Sequence, residues 1–211
     1  MIVMGLTGSI GMGKSTAAAA LRRLGVPVHD ADREVHRLLA SDAGAIAAIG
    51  AAFPGVADAG GIDRADLGAL VFGDPAALAR LESILHPLVR DSERRFLRRA
   101  RATGAVLAVL DIPLLFESGA ERRCDLVAVV SAPEFIQAAR VLRRPGMSRE
   151  RLTAIRMRQT PEPQKYQRAD YLVPTGLDRR TGLHALTRLI IQLRGRGALG
   201  RPRRNRRSRH A

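Results

Sequence analysis

Gly8-Ser9-Ile10-Gly11-Met12-Gly13-Lys14-Ser15 matches the pattern G-x-x-x-x-G-K-[ST] at every position. The surroundings are those the pattern needs: a buried strand before it and a helix opening from it. Ile2 to Leu6 is a short apolar run that breaks at Thr7-Gly8, the form of a parallel strand entering a turn. From Ser15 to Leu24 the residues are good helix formers, with Ala17, Ala18, Leu21 and Leu24 at helical spacing and Gly25 placed as a C-cap. Each part of the motif has a physical task. Glycines let the chain turn so that N–H groups point inward at phosphate oxygens, and the helix adds its positive end. The Lys14 ammonium reaches the β- and γ-phosphates, and the Ser15 hydroxyl ligates Mg²⁺. Gly8, Gly11, Met12, Gly13, Lys14, Ser15 and Thr16 are therefore the expected nucleotide-binding residues.

Outward from the loop, strands alternate with helices. Val26 to His29 reads as a second strand ending at Asp30, Ala105 to Leu110 as the clearest buried strand, ending at Asp111, and Leu126 to Val130 and Tyr171 to Val173 as two more. Helices are expected over 32–39, 43–53, 63–72, 75–101, 134–143, 148–159 and 181–193, with a break near His86-Pro87 and a loop over 54–61. This alternation argues for an α/β fold with a parallel sheet and helices on both faces. About 70 residues separate the second and third strands. That is too much for one crossover and implies a helical insertion.

Composition narrows the class. The chain has 211 residues, 46% of them apolar, which matches one globular domain with a real core. No apolar run approaches the ~18 residues of a membrane span, and the opening residues lack the basic stretch of a secretory leader. A cytoplasmic protein is expected. Cys124 is the only cysteine, so an internal disulfide is excluded. Of the 35 cationic residues two are lysines, Lys14 and Lys165, and the rest are Arg. A lysine kept under such a bias asks what needs it. Eight Arg fall in residues 194–211, and without them the net charge drops from +15 to +7. The moderately basic body suits an anionic ligand. The tail is expected to be disordered and is the only part suited to non-specific nucleic-acid contact.

Several carboxylates and cations have two readings each. Asp30 and Asp32 follow the second strand at its carboxyl end, where open α/β sheets bind ligands; one of them can take a proton from an attacking hydroxyl or hold the metal, or both can serve the start of the next helix. Asp111 stands where a metal-binding carboxylate follows a strand, although strands often end in Asp. His86 is a lone histidine before a proline, structural or substrate-facing. The Arg-rich segment 140–158 is either a solvated face or a lid closing on phosphates.

The whole set resembles the dephospho-CoA kinase family. The resemblance runs through Gly5 to Thr16, Asp30-Ala31-Asp32, Ile62-Asp63-Arg64, Leu81-Glu82 with His86-Pro87, Pro113-Leu114-Leu115-Phe116-Glu117, and Gln137 with Arg140, Arg144 and Gln159. It covers about residues 2–193. It implies an α/β fold of the P-loop NTPase type, with a core of 1–31, 105–133 and 169–193. A helical CoA-binding insertion is implied near 32–104 and a lid near 134–168, with 194–211 outside the pattern. It implies transfer of phosphate from ATP, with Mg²⁺, to the ribose 3′-hydroxyl of dephospho-CoA, the last step of coenzyme A synthesis. By resemblance Asp32 is the base, Lys14 and Arg140 act on the phosphates, Arg64 and His86 contact substrate with Asp32, and Ser15 and Asp111 hold the metal. Two positions depart from the family: Pro145, where Asp is frequent, and Val173-Pro174-Thr175-Gly176, where an Asn-containing turn is common. A kinase for another small metabolite and a nucleic-acid-binding P-loop ATPase are the alternatives. Seven aromatic residues, five Phe and two Tyr, leave the last with few stacking platforms.

Overall fold

The structure is a computed structural model and describes residues 1–58, 60–176 and 178–197. Its centre is β1 (Ile2–Thr7), whose six residues are all buried. A strand with no polar face must be covered on both sides and paired on both edges. β1 pairs in parallel with β5 (Leu107–Asp111), Leu6 opposite Asp111, and with β6 (Leu126–Ser131), Thr7 opposite Val129. β2 (Val28–Asp30) and β7 (Tyr171–Pro174) complete a five-stranded sheet of order β2-β5-β1-β6-β7. The expected parallel α/β sheet is therefore present. Because β5, β1, β6 and β7 run the same way, their carboxyl ends, at Asp111, Thr7, Ser131 and Pro174, share one edge of the sheet.

Residues 1–29 with 100–197 form one compact unit and residues 30–99 another. In the first, α1 (Lys14–Arg23) and α9 (Arg179–Gly197) cover one face of the sheet. Ile2, Met4 and Leu6 pack there with Ala17, Leu21, Leu186, Leu189, Ile190 and Leu193. Gly5 faces the other way, where an added Cβ would come 2.9 Å from Cys124 Sγ and 3.2 Å from Leu115. Beyond a 3₁₀ turn at Ala120–Arg123, this unit also holds α6 (Glu134–Leu142), α7 (Arg149–Met157) and α8 (Glu162–Arg168).

The second unit contains α2 (Ala31–Ser41), α3 (Ala43–Ala52), α4 (Arg64–Val71) and most of α5 (Pro75–Ala102). Each of the four starts on an aspartate cap. Asp30 accepts from Arg33 N–H at 3.0 Å, Asp42 from Ala45 at 3.1 Å, Asp63 from Ala65 at 2.7 Å, and Asp74 from Ala76 at 2.9 Å. Such a cap stabilises a helix by roughly 0.5–2 kcal/mol. Leu38, Leu39, Ile49, Phe53, Val56, Leu67, Leu81 and Leu85 make this unit's own core.

Four local expectations change. The segment 54–61 is not all loop: β3 (Ala57–Asp58) and β4 (Gly61–Ile62) form an antiparallel hairpin, too short for an alternating pattern to be read. α5 runs unbroken through Pro87. Proline removes one helical donor, but Pro87 and Ser83, whose carbonyl loses that donor, both lie on the exposed face. α8 forms where no helix was expected; Pro161 and Pro163 sit at its N-cap and first turn, where a missing N–H costs no helical bond. α9 continues to Gly197, four residues past the expected boundary at 193; the remainder of the Arg-rich tail, 198–211, lies outside the described residues. Among the described residues no helix is long and apolar enough to cross a membrane.

Candidate active site

The loop between β1 and α1 has the conformation its glycines permit. Gly11 and Gly13 sit at φ +77° and +85°, the left-handed region that side chains disfavour. Gly8 is required for a different reason: a Cβ there would stand 2.1 Å from Val130 Cγ2. α1 begins at Lys14 with no side-chain cap. Its first-turn N–H groups have no intrahelical acceptor, and Ser15 and Thr16 are exposed on that turn.

Lys14 and Asp111 come together. Lys14 Nζ donates to Asp111 Oδ1 at 2.7 Å, and Asp111 is only 2% exposed. The strand register Leu6–Asp111 makes this pair: the loop that carries Lys14 leaves β1 beside the end of β5. Arg140 also reaches the loop. It lies half-buried on α6, with Nη1 donating to Gly11 O at 3.4 Å and Nη2 to Thr175 O at 2.6 Å. Thr175, in the turn that departs from the family pattern, donates its hydroxyl to Met12 O. Met12 serves the loop as an anchor. Its side chain is buried, its sulfur accepts from Ala132 N–H at 3.2 Å, and its own N–H closes a turn onto Ser9 O at 3.1 Å.

The other limb of the loop is held by residues to which the sequence reading gave no role, although the rarity of lysine drew attention to Lys165 and the family resemblance included Gln137 and Gln159. Ile10 N–H donates to Gln159 Oε1 at 3.3 Å and Ile10 O accepts from Gln137 Nε2 at 2.8 Å. Gln137 itself accepts from Arg156, which also pairs with Glu134. Lys165 Nζ donates to Ser9 Oγ at 2.8 Å. A cavity of about 470 Å³ opens beside these groups, reaching Ser9 and Met12 but not Lys14 or Ser15. It therefore flanks the phosphate seat.

Asp30, Asp32, Arg64 and His86 belong to the other unit. Asp30 caps α2. Asp32 is exposed on the first turn of α2, Arg64 is exposed at the first residue of α4, and His86 is exposed on α5. Carboxylates on the first turn of α2 favour that helix through its dipole.

The family model for CoaE, dephospho-CoA kinase, matches residues 2–177. The chain belongs to the dephospho-CoA kinase family. It is 67% identical over 165 residues to the dephospho-CoA kinase of Paramagnetospirillum magneticum, covering 78% of each chain. It is 60% identical over 186 residues to the dephospho-CoA kinase of Rhodospirillum rubrum, covering 88% of each. The crystal structure of TT1252 from Thermus thermophilus superposes with a TM-score of 0.78 at 38% identity, over 90% of this chain and 96% of that one. The fold, the kinase class and the place of the family at the end of coenzyme A synthesis are thus as the resemblance implied.

The site also fits a divalent cation of the hard, oxygen-binding kind. The chain offers an exposed hydroxyl at Ser15, next to Lys14 in sequence, and a buried carboxylate at Asp111, paired with Lys14. No group of three or more His, Cys, Asp or Glu that could hold a metal occurs among the described residues.

Proposed function

We propose that this chain phosphorylates the ribose 3′-hydroxyl of dephospho-CoA with ATP, giving coenzyme A and ADP. Family membership supports the acceptor. The observation that supports phosphoryl transfer is the Lys14–Asp111 pair at the mouth of a glycine loop. The nearly buried Asp111 supplies a fixed counter-charge that holds the ammonium over the loop, where a γ-phosphate would take it up. In the reaction a ribose oxygen bonds to the γ-phosphorus as the bond to the ADP oxygen breaks. Lys14, the first-turn N–H groups of α1 and Arg140 stabilise the charge on the phosphoryl oxygens. We assign the hydroxyl proton to the Asp32 carboxylate, and contacts with the acceptor to Arg64 and His86 in the helical unit. Ser15 and Asp111 would hold Mg²⁺, which supplies further neutralisation of the β- and γ-phosphate oxygens. The segment 134–168 acts as the lid, and the reaction takes place in the cytoplasm, where ATP is available.

Consumption of ATP measured side by side with dephospho-CoA, a nucleoside and single-stranded DNA tests the acceptor. Turnover with dephospho-CoA should exceed the others by at least about a hundredfold, a discrimination within reach of a site built to hydrogen-bond its substrate. Equal or faster turnover with another acceptor would overturn the assignment.

A further inference from the structure

Lys165 is the largest fully buried side chain in the described structure, at 0% exposure, and the second of only two lysines in the chain. Phosphoryl transfer as proposed above uses Lys14 and leaves Lys165 without a task. A buried ammonium is costly unless it is paired and hydrogen-bonded, and both conditions are met here. Its Nζ donates to Ser9 Oγ at 2.8 Å and lies 3.4 Å from Glu117 Oε1. The same Glu117 oxygen accepts from Thr160 N–H at 2.6 Å. The chain of contacts therefore runs from the link between α7 and α8, through Glu117 and Lys165, to the second residue of the phosphate loop.

We propose that Lys165 is a positioning residue of the phosphate loop: its ammonium holds Ser9 from behind, and Glu117 and Thr160 anchor that hold to the α7–α8 link. Loop glycines give the backbone the freedom to turn, and that freedom must be removed again if N–H groups are to meet phosphate without reorganisation. Ser9 and Ile10 precede the positive-φ glycines, and their side-chain holds come from the 134–168 segment: Ser9 from Lys165, Ile10 from Gln137 and Gln159. The ammonium suits this position because it is a compact charge with freely rotating donors: one donates to Ser9, and Glu117 at 3.4 Å supplies the counter-charge. The pair with Glu117 leaves little net charge behind the loop, so the effect on ATP is one of geometry rather than direct attraction.

This inference rests on residues 8–15 being the ATP seat, not on the identity of the acceptor. The test is therefore ATP binding with Mg²⁺ and no acceptor, by calorimetry on the full chain, for Ser9→Ala, Lys165→Met and the double variant, with melting temperatures in parallel. Ser9→Ala and Lys165→Met should each weaken ATP at least about tenfold, and the double variant should be no weaker than Lys165→Met, because both remove one interaction. In turnover, KM for ATP should rise while KM for dephospho-CoA stays within about twofold. A lysine that only supported the fold would lower the melting temperature and leave the ATP affinity of the folded protein unchanged. That result, or two effects that simply multiply, would overturn the proposal. If Lys165→Met does not fold, Ser9→Ala decides alone: ATP binding within about twofold of the parent would refute it. Failure to turn over dephospho-CoA would refute the acceptor and leave the Ser9–Lys165 result standing.

Discussion

At the residue scale the Lys14–Asp111 contact is the one most open to experiment. With Lys14 gone, the phosphoryl loses its principal cation and Asp111 is left as a buried carboxylate without its ammonium. Lys14→Ala should lower kcat on the order of 10²–10³-fold, the scale seen for removal of one preorganised donor, with a cooperative melt retained. Near-normal turnover would take the loop out of the mechanism. Asp30 and Asp32 are separated by a paired substitution. Asn is as good an N-cap as Asp, so Asp30→Asn keeps the cap on α2 and removes only charge. Asp32→Asn should depress kcat by about 10²–10⁴-fold, as loss of a general base does, with ATP binding little changed; Asp30→Asn should stay within about tenfold of the parent. The reverse ranking would exchange the two roles.

At the element scale, the connection after β5 matters more than its irregular form suggests. Phe116 takes the Arg168 guanidinium over its ring at 4.3 Å, and Glu117 meets Thr160 and Lys165. The Pro113 to Glu117 stretch thus fastens α8 to the core of its unit. Burial works to raise the Glu117 pKa, but the Thr160 N–H and the Lys165 ammonium outweigh it, and the carboxyl titrates below its ordinary value. A depressed carboxyl contributes stability above its unfolded pKa, about 4.3, and loses it as pH falls through the lower folded value. Glu117→Gln should therefore melt below the parent at pH 7, and the gap should begin to narrow as the pH falls below about 4.3 and keep shrinking on further acidification. A gap that did not narrow on acidification would mean that the charge is not what Glu117 contributes.

At the scale of the whole molecule, each compact unit has its own apolar cluster. In the sheet unit the buried apolar residues described on α9 are Leu186, Leu189, Ile190 and Leu193. Residues 198–211 carry six Arg and no acid. Truncation after Gly197 should leave kcat/KM within about twofold and the melting temperature within a few degrees, since so Arg-rich and apolar-poor a sequence has little to bury. Any affinity of the full chain for a polyanion should fall steeply with salt and be lost on truncation. A tenfold fall in kcat/KM would place the tail in the working enzyme.

Local chemistry determined a good deal of this protein from sequence alone. The phosphate loop, the parallel strands and the helix starts at Asp30, Asp42, Asp63 and Asp74 are short-range features, set by glycine, apolar runs and caps within a few residues of where they act. Lys14 could be named without its partner, and Asp111 without certainty of its use, because their contact depends on the register of β1 against β5 across 97 residues of chain. The hold on Ser9 and Ile10 was further out of reach. Gln137 and Gln159 entered only as matches in the family resemblance and Lys165 only by the rarity of lysine, none with a role, and α8, which bears Lys165, begins among prolines. Only tertiary packing brings such groups to a loop more than a hundred residues away, since burial of an ammonium is tolerable only where the fold supplies a hydroxyl and a carboxylate to meet it.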